Sequence, residues 1–400
     1  MNFEREAEAA YLELARWIDV NGLAGYDPFD IRGEDWYAAL FGGENRFSYY
    51  MRAALYHLEY RLPPVALRKL IGVEPAINAK AVVLMASAWL TRYKSTGDDT
   101  SLQRATALLD WLRKNATVAS VTHISWGYPF HWNSRVFFPR GTPSGVVTGT
   151  IGDAWLTHYE TTRDPESLEV ANGIARFILD DLNRPIDTPD MLCFSYTPTD
   201  DFKVLNASLT SAAFLARLGS MVDNEEMAST AQRAARYVVS EQNADGSFCY
   251  WGGERNSHID HFHTGFVLRH LDTIMSQCSA DFIAEPLQRG YEFYKTCLFD
   301  DGIPKHTPES LYPIDVHSCA EALICVGQFA SRMGGAELMS TVFEFCTGRM
   351  RHSDGYYVAE IRRSPFGETR TEIPYMRWGQ AWMLLALART AEYFADGSPA

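Results

Sequence analysis

Residues 242–274, QNADGSFCYWGGERNSHIDHFHTGFVLRHLDTI, pass from a polar, aromatic loop straight into an apolar run. The loop holds a turn (Ala244 to Ser247), the rings Tyr250 and Trp251, the pair Glu254 and Arg255, and His258, His261 and His263 around Asp260. From Gly265 to Ile274 the pattern is that of a helix buried on nearly all sides. Such residues, set on a loop that feeds a buried helix, describe a rim facing a ligand. Searching outward for the same arrangement recovers it along most of the chain.

Nearly all-apolar helices are expected to start near Asn78, Val147, Asn206, Asp260, Asp315 and Arg377, at steps of 54 to 69 residues. Each of the first five precedes an amphipathic segment, roughly 101–115, 166–183, 225–242, 280–298 and 335–350. A helix apolar all round needs neighbours on every side, whereas an amphipathic one faces water. Alternation of the two kinds in a closed ring gives an all-α fold, an (α/α)6 toroid or six-hairpin barrel. Residues 3–19, with Phe3, Ala7, Ala10, Tyr11, Leu14 and Trp17 on one stripe, close the outer ring. Further helical segments at about 46–61 and 64–71 leave seven hairpins possible. One domain is expected over 1–400, with 20–45 as an N-terminal loop near the cleft.

In such a ring the long connections gather at one end: 118–146, 186–205, 243–259, 299–314 and 351–375. These loops carry the chemistry, as loops on a rigid scaffold tend to do. In 124–148, Trp126, Tyr128 and Trp132 suit the flat faces of sugar rings, and Arg135 and Arg140 suit carboxylate or phosphate. The alternative for these rings is that they plug the mouth as core. Asp260 and Asp315 open two of the apolar helices, where an aspartate either caps the helix or serves as acid or base. Capping does not account for His258, His263 and His317. Arg377 and Gln380 share a face of the last apolar helix, just after Tyr375, and either pair internally or face a cavity.

The composition bounds the partners. The chain is 46% hydrophobic with a net charge of −14, which argues against nucleic acid or an anionic membrane surface. No apolar run of eighteen residues is present, and the N-terminus lacks the pattern of a signal peptide. Seven scattered cysteines without a CxxC pair point to a reduced cytoplasm. No HExxH-type spacing accompanies the histidines, so neither a metal nor a cofactor is expected.

GYDPFDI (25–31), WGYPFHWNSRVFFPRGTPSGVVT (126–148), QNADGSF (242–248) and PYMRWGQAWM (374–383) resemble the six-hairpin glycosidase-like proteins of bacterial exopolysaccharide, capsule and lipopolysaccharide gene clusters. RWGQAW (377–382) is also similar to the RGQAW segment of unsaturated glucuronyl hydrolases. The resemblance implies the toroid, an oligo- or polysaccharide ligand with a uronic-acid component, an inner-helix aspartate as acid/base, and a sugar-binding role for Arg377 and Gln380. QNADGSF resembles a terpene cyclase segment too, but the DxDD proton donor of those enzymes is absent.

Three functions follow as expectations. A glycoside hydrolase would use Asp260 and Asp315 as acid and base, with Glu254 in reserve. Trp126, Tyr128, Trp132 and Trp251 would be its platforms, and Arg135 and Arg377 its clamps, with Asp27 and Tyr375 nearby. A uronate lyase or epimerase would use His258, His263, His317 or Tyr196 on the proton, with Arg135, Arg140, Arg255 or Arg377 neutralising the carboxylate. A non-catalytic glycan-binding biosynthesis protein would keep the cleft without turnover.

Overall fold

The computed structural model describes residues 3–41, 50, 59, 62–119, 122–254 and 257–395. Six helices form an inner ring: α4 (Ala79–Thr96), α6 (Gly145–Thr162), α8 (Leu205–Met221), α10 (His261–Cys278), α12 (Val316–Met333) and α14 (Trp382–Ala395). Each packs on the next, and α14 packs back on α4, so the ring is closed. Outside it stand α1 (Phe3–Asn21), α5 (Asp99–Lys114), α7 (Pro165–Arg176), α9 (Glu225–Ser240), α11 (Ala284–Cys297) and α13 (Ala336–Phe345). Each of α5, α7, α9, α11 and α13 lies against the inner helix before it in the chain, and α1 covers α14. The expected double ring of six hairpins is therefore the observed fold.

Helix starts follow local chemistry. The side chains of Asn78, Ser144, Asp260 and Asp315 accept hydrogen bonds from backbone N–H groups of Lys80, Val147, His263 and His317. Asp98, Asp164 and Asn224 do the same for the outer ring. The last inner helix has no such cap. It opens instead with a wide π-type turn over Met376–Ala381, which carries Arg377 and Trp378.

Two connections differ from expectation. The stretch Asn21 to Asn45 contains a short 3₁₀ turn, Ile31–Gly33, and a helix α2 (Asp35–Phe41) rather than plain loop. Asp30 accepts from the Ile31 N–H and binds the buried Arg68, which lies on a further short helix, α3 (Pro64–Leu70). That α3 is the observed part of the possible seventh hairpin, and it sits outside the inner ring. Most of 46–61 lies outside the described residues. The 351–375 connection carries a hairpin, Glu360–Ser364 with Gly367–Thr371, extended by Ile314–Asp315 into a three-stranded antiparallel sheet. Gly367, at φ +116°, supplies the left-handed residue its turn requires.

Candidate active site

The first turns of the six inner helices converge on one end of the ring. Lys80, Val146, Asn206, His263 and His317 occupy second or third positions of five of them, and Arg377 sits in the turn that opens the sixth. All six line one cavity of about 660 Å³, which is also lined by rings from the loops, among them Phe29, Tyr128, Phe130, Trp132, Tyr196 and Tyr250. No carboxylate lines it among the described residues.

Behind His263 stands Asp260, which is buried. Its Oδ1 caps the helix through the His263 N–H, and its Oδ2 receives His263 Nδ1 at 2.6 Å and His258 Nε2 at 2.9 Å. Burial works to raise the Asp260 pKa, but its electrostatic interaction with His263 and these hydrogen bonds outweigh it and hold the group far below the usual carboxylate range. The hydrogen bond to Asp260 in turn raises His258. An ionised carboxylate only accepts, so Nδ1 of His263 carries its proton. Nε2 is left without a partner among the described residues, on a ring that lines the cavity. This is an oriented imidazole, the arrangement a general base needs.

His317 is caged by rings, Phe262 at 4.6 Å, Trp378 at 4.5 Å and Trp382 at 4.9 Å. Neither ring nitrogen has a hydrogen-bond partner among the described residues. Burial, aided by the charges of Lys80 and Arg377, keeps it well below the usual histidine range, so it is neutral at physiological pH.

Arg377 is buried and grips Asp27 with two hydrogen bonds of 2.5 and 2.7 Å. Its guanidinium lies 5.2 Å from the Tyr128 ring centroid and 5.3 Å from that of Trp378. The Tyr128 and Tyr196 hydroxyls are 3.3 Å apart, and burial raises both pKa values. Both are therefore protonated donors at neutral pH.

The other expected site residues fall elsewhere. Asp315 lies behind the wall: Trp378 Nε1 donates to both its oxygens and the backbone N–H groups of His317 and Ser318 to one, while burial pushes its pKa up to about 7. Trp126 was expected to offer a sugar platform, but its ring is fully enclosed and Nε1 donates to the Leu112 carbonyl. Gln380 is equally enclosed, clamping the backbone N–H and C=O of Tyr357. Tyr375 accepts from Arg68 outside the cavity. Arg135 and Glu254 form an exposed pair, with Arg135 stacked 3.9 Å from the Trp251 centroid. That leaves Trp251 covered from outside and packed edge-on against Tyr250 inside. Arg140 lines a neighbouring cavity of about 790 Å³ with Asp27, Asp30 and Asn78. Arg255 lies outside the described residues.

Lys80, Asn206, Phe262, Phe266 and Trp378 line the cavity without having been singled out from sequence. Their only local signal is position: each lies in or near the first turns of an inner helix.

No family model matches the chain, and no curated protein does. Solved structures do. Cellobiose 2-epimerase from Bacillus thermoamylovorans B4167 superposes with a TM-score of 0.64 at 11% identity, over 80% of this chain and 88% of that one. An unsaturated glucuronyl hydrolase specific for heparin gives 0.61 at 11%, over 98% and 97%. The GH76A α-1,6-mannanase from Salegentibacter sp. HEL1_6 gives 0.57 at 14%, over 80% and 90%. The chain has the six-hairpin glycosidase fold. At these identities the toroid is what the likeness carries; the chemistry has to be read from the cavity.

Proposed function

We propose that this toroid is a carbohydrate-active enzyme of the epimerase type, moving a proton on and off a sugar carbon that adjoins a carbonyl or carboxyl group. The observation that carries the reading is His263: an imidazole held by Asp260, with a free Nε2 in a cavity walled by aromatic rings and free of carboxylates among the described residues. Nε2 takes the proton. The negative charge that develops on the substrate oxygen meets Arg377 and the Tyr128 and Tyr196 hydroxyls, donors already in place before the reaction. Tyr128, Phe130 and Trp132 offer faces for the sugar ring. One of the superposable structures is a cellobiose 2-epimerase, which supports the reaction class.

Hydrolysis is the second reading, and Asp315 favours it: a carboxyl with a pKa of about 7 is protonated often enough at neutral pH to act as an acid. It asks for a second carboxyl group across the bond, and the lining residues contain none. We take residues 1–400 as one domain and bacterial surface glycans, uronate-containing ones included, as the substrate source. The seven free cysteines support a cytoplasmic site of action.

Incubation with reducing and uronate-ended oligosaccharides, in deuterium oxide and separately in heavy-oxygen water, separates the readings. Hydrolysis shortens the oligosaccharide and puts heavy oxygen at a newly freed reducing end, whereas epimerase chemistry places deuterium on carbon and leaves the length unchanged. Under it, His263→Ala lowers turnover by about 10²–10⁴-fold, and Asp260→Asn, which keeps the helix cap, lowers it through a misoriented imidazole. Cleavage into shorter, heavy-oxygen-labelled products with no deuterium on carbon sinks the proposal and moves attention to Asp315.

A further inference from the structure

The proposed reaction gives no role to Lys80, the one lysine that lines the cavity among the described residues. Lys80 is only 6% exposed, yet its amine makes no hydrogen bond or ion pair among the described residues. The amine lies over ring faces, Trp382 at 5.5 Å and Phe266 at 5.9 Å. A lysine is kept this way at a cost, because burial disfavours the ammonium form. Here burial, reinforced by the charge of Arg377, lowers the pKa to about 7. Such an amine exists in both protonation states at neutral pH, as a group that both takes and gives protons must.

Its position is set by the ring. The inner helices follow one another as α4, α6, α8, α10, α12 and α14 and close on themselves, so α4 and α10 stand opposite each other. Lys80 is the second residue of α4 and His263 the third of α10. The two groups therefore approach the cavity from opposite walls. Lys80 also lines a deeper chamber of about 900 Å³ that continues down the ring, which places it at the cavity floor.

We propose that Lys80 is a second acid–base group, returning a proton to the face of the sugar carbon opposite the one that His263 deprotonates. This rests on the epimerase reading. His263 Nε2 takes the proton from carbon, and the electron pair moves to the adjoining carbonyl oxygen. The Lys80 ammonium then protonates the carbon from the other side while the carbonyl re-forms. The proton gained by His263 and the one lost by Lys80 are exchanged with solvent, and the reverse reaction uses the two groups in the opposite order.

The test follows carbon-bound deuterium separately for each epimer of whichever sugar pair the wild-type protein interconverts, beginning with cellobiose and its C2 epimer. Lys80→Met is expected to lower interconversion at least hundredfold while the epimer that His263 deprotonates still exchanges its proton within tenfold of wild type. His263→Asn is expected to spare exchange in the other epimer only. Equal loss in both epimers, or no loss in either, for Lys80→Met overturns the proposal while leaving the epimerase reading standing. Should the wild-type protein exchange no sugar proton, that reading fails instead. Trace acetylation of the full chain between pH 6 and 11, mapped by mass spectrometry, then decides for Lys80. Reaction with a half-point near neutral pH keeps it as a proton-transfer group, and reaction only above pH 10, or none, removes it.

Discussion

Lys80 and His263 face the same cavity, and the chain supports them in opposite ways. Asp260 orients His263 through a 2.6 Å hydrogen bond, whereas Lys80 makes no hydrogen bond or ion pair among the described residues and feels the charge of Glu321 only at a distance. Function at Lys80 therefore costs stability. Above about pH 10.5 the amine is neutral in both folded and unfolded chains and carries no penalty. As the pH falls toward about 7 the unfolded chain takes up a proton that the folded one does not, so stability declines, and below 7 the penalty is complete. Lys80→Met is expected to be more stable than wild type by a few kcal/mol below pH 7, the difference shrinking toward pH 10; urea denaturation at a series of pH values measures it. At this scale sequence reading was uneven. His263, Tyr128, Tyr196 and Arg377 stood out because such side chains at a loop–helix junction are conspicuous. Lys80 did not, since a lysine early in a helix looks solvated until a wall 180 residues away encloses it. Trp126 and Gln380 misled for the converse reason: both have the chemistry of ligand contacts, and both spend it on backbone, at the Leu112 carbonyl and the Tyr357 amide.

The inner helices are held together by small residues as much as by apolar ones. A Cβ built on Gly265 of α10 would come 2.6 Å from Cγ and 2.7 Å from Oε1 of Glu321 on α12. Glu321 is fully buried and bound at both oxygens by Arg269, at 2.7 and 2.9 Å. Gly265→Ala must therefore shift the Glu321 side chain where it meets Arg269. It is expected to cost about 1–3 kcal/mol, read from the midpoint of urea denaturation, with a larger loss if the ion pair opens. Helix boundaries were legible because caps are local: Asn78, Asp260 and Asp315 lie where one expects the end of a loop. The hairpin over Glu360–Ser364 and Gly367–Thr371 was not, because its pairing is completed by Ile314–Asp315, almost fifty residues earlier. The wide turn at Met376–Ala381, which aims Arg377 and Trp378, leaves no mark in the periodicity at all.

The ring as a whole is closed by a contact between distant parts of the chain. α1 supplies the outer helix of the last hairpin by packing on α14, with Phe3 stacked on Phe394 at 5.2 Å. Its buried stripe, Ala7, Ala10, Tyr11, Leu14, Ala15 and Ile18, belongs to the main core. Removal of residues 1–21 is expected to uncover the outward face of α14, loosen the wall that carries Arg377, and broaden and lower the thermal transition followed by circular dichroism. A sharp transition at the wild-type temperature would show that α1 is dispensable. The closed double ring itself was the most legible feature, since a repeat of apolar and amphipathic helices allows few arrangements. The cavity was less so, because it exists only once all six inner helices stand in a circle.

That same closure orders events in time. On the ribosome α1 is made before the other helices of the toroid, and α14 is among the last stretches of the described chain to be made. During synthesis, then, α1 can meet α4 early, through Tyr11 and Trp89, but waits more than 350 residues for α14. The intervening hairpins can pack as they emerge, but only into an open arc. An arc has no lumen, so Lys80, on the first inner helix, stays wet and fully charged until the last inner helix arrives. The surroundings that set its proton affinity, Trp382 among them, are thus complete only when α14 has closed the ring.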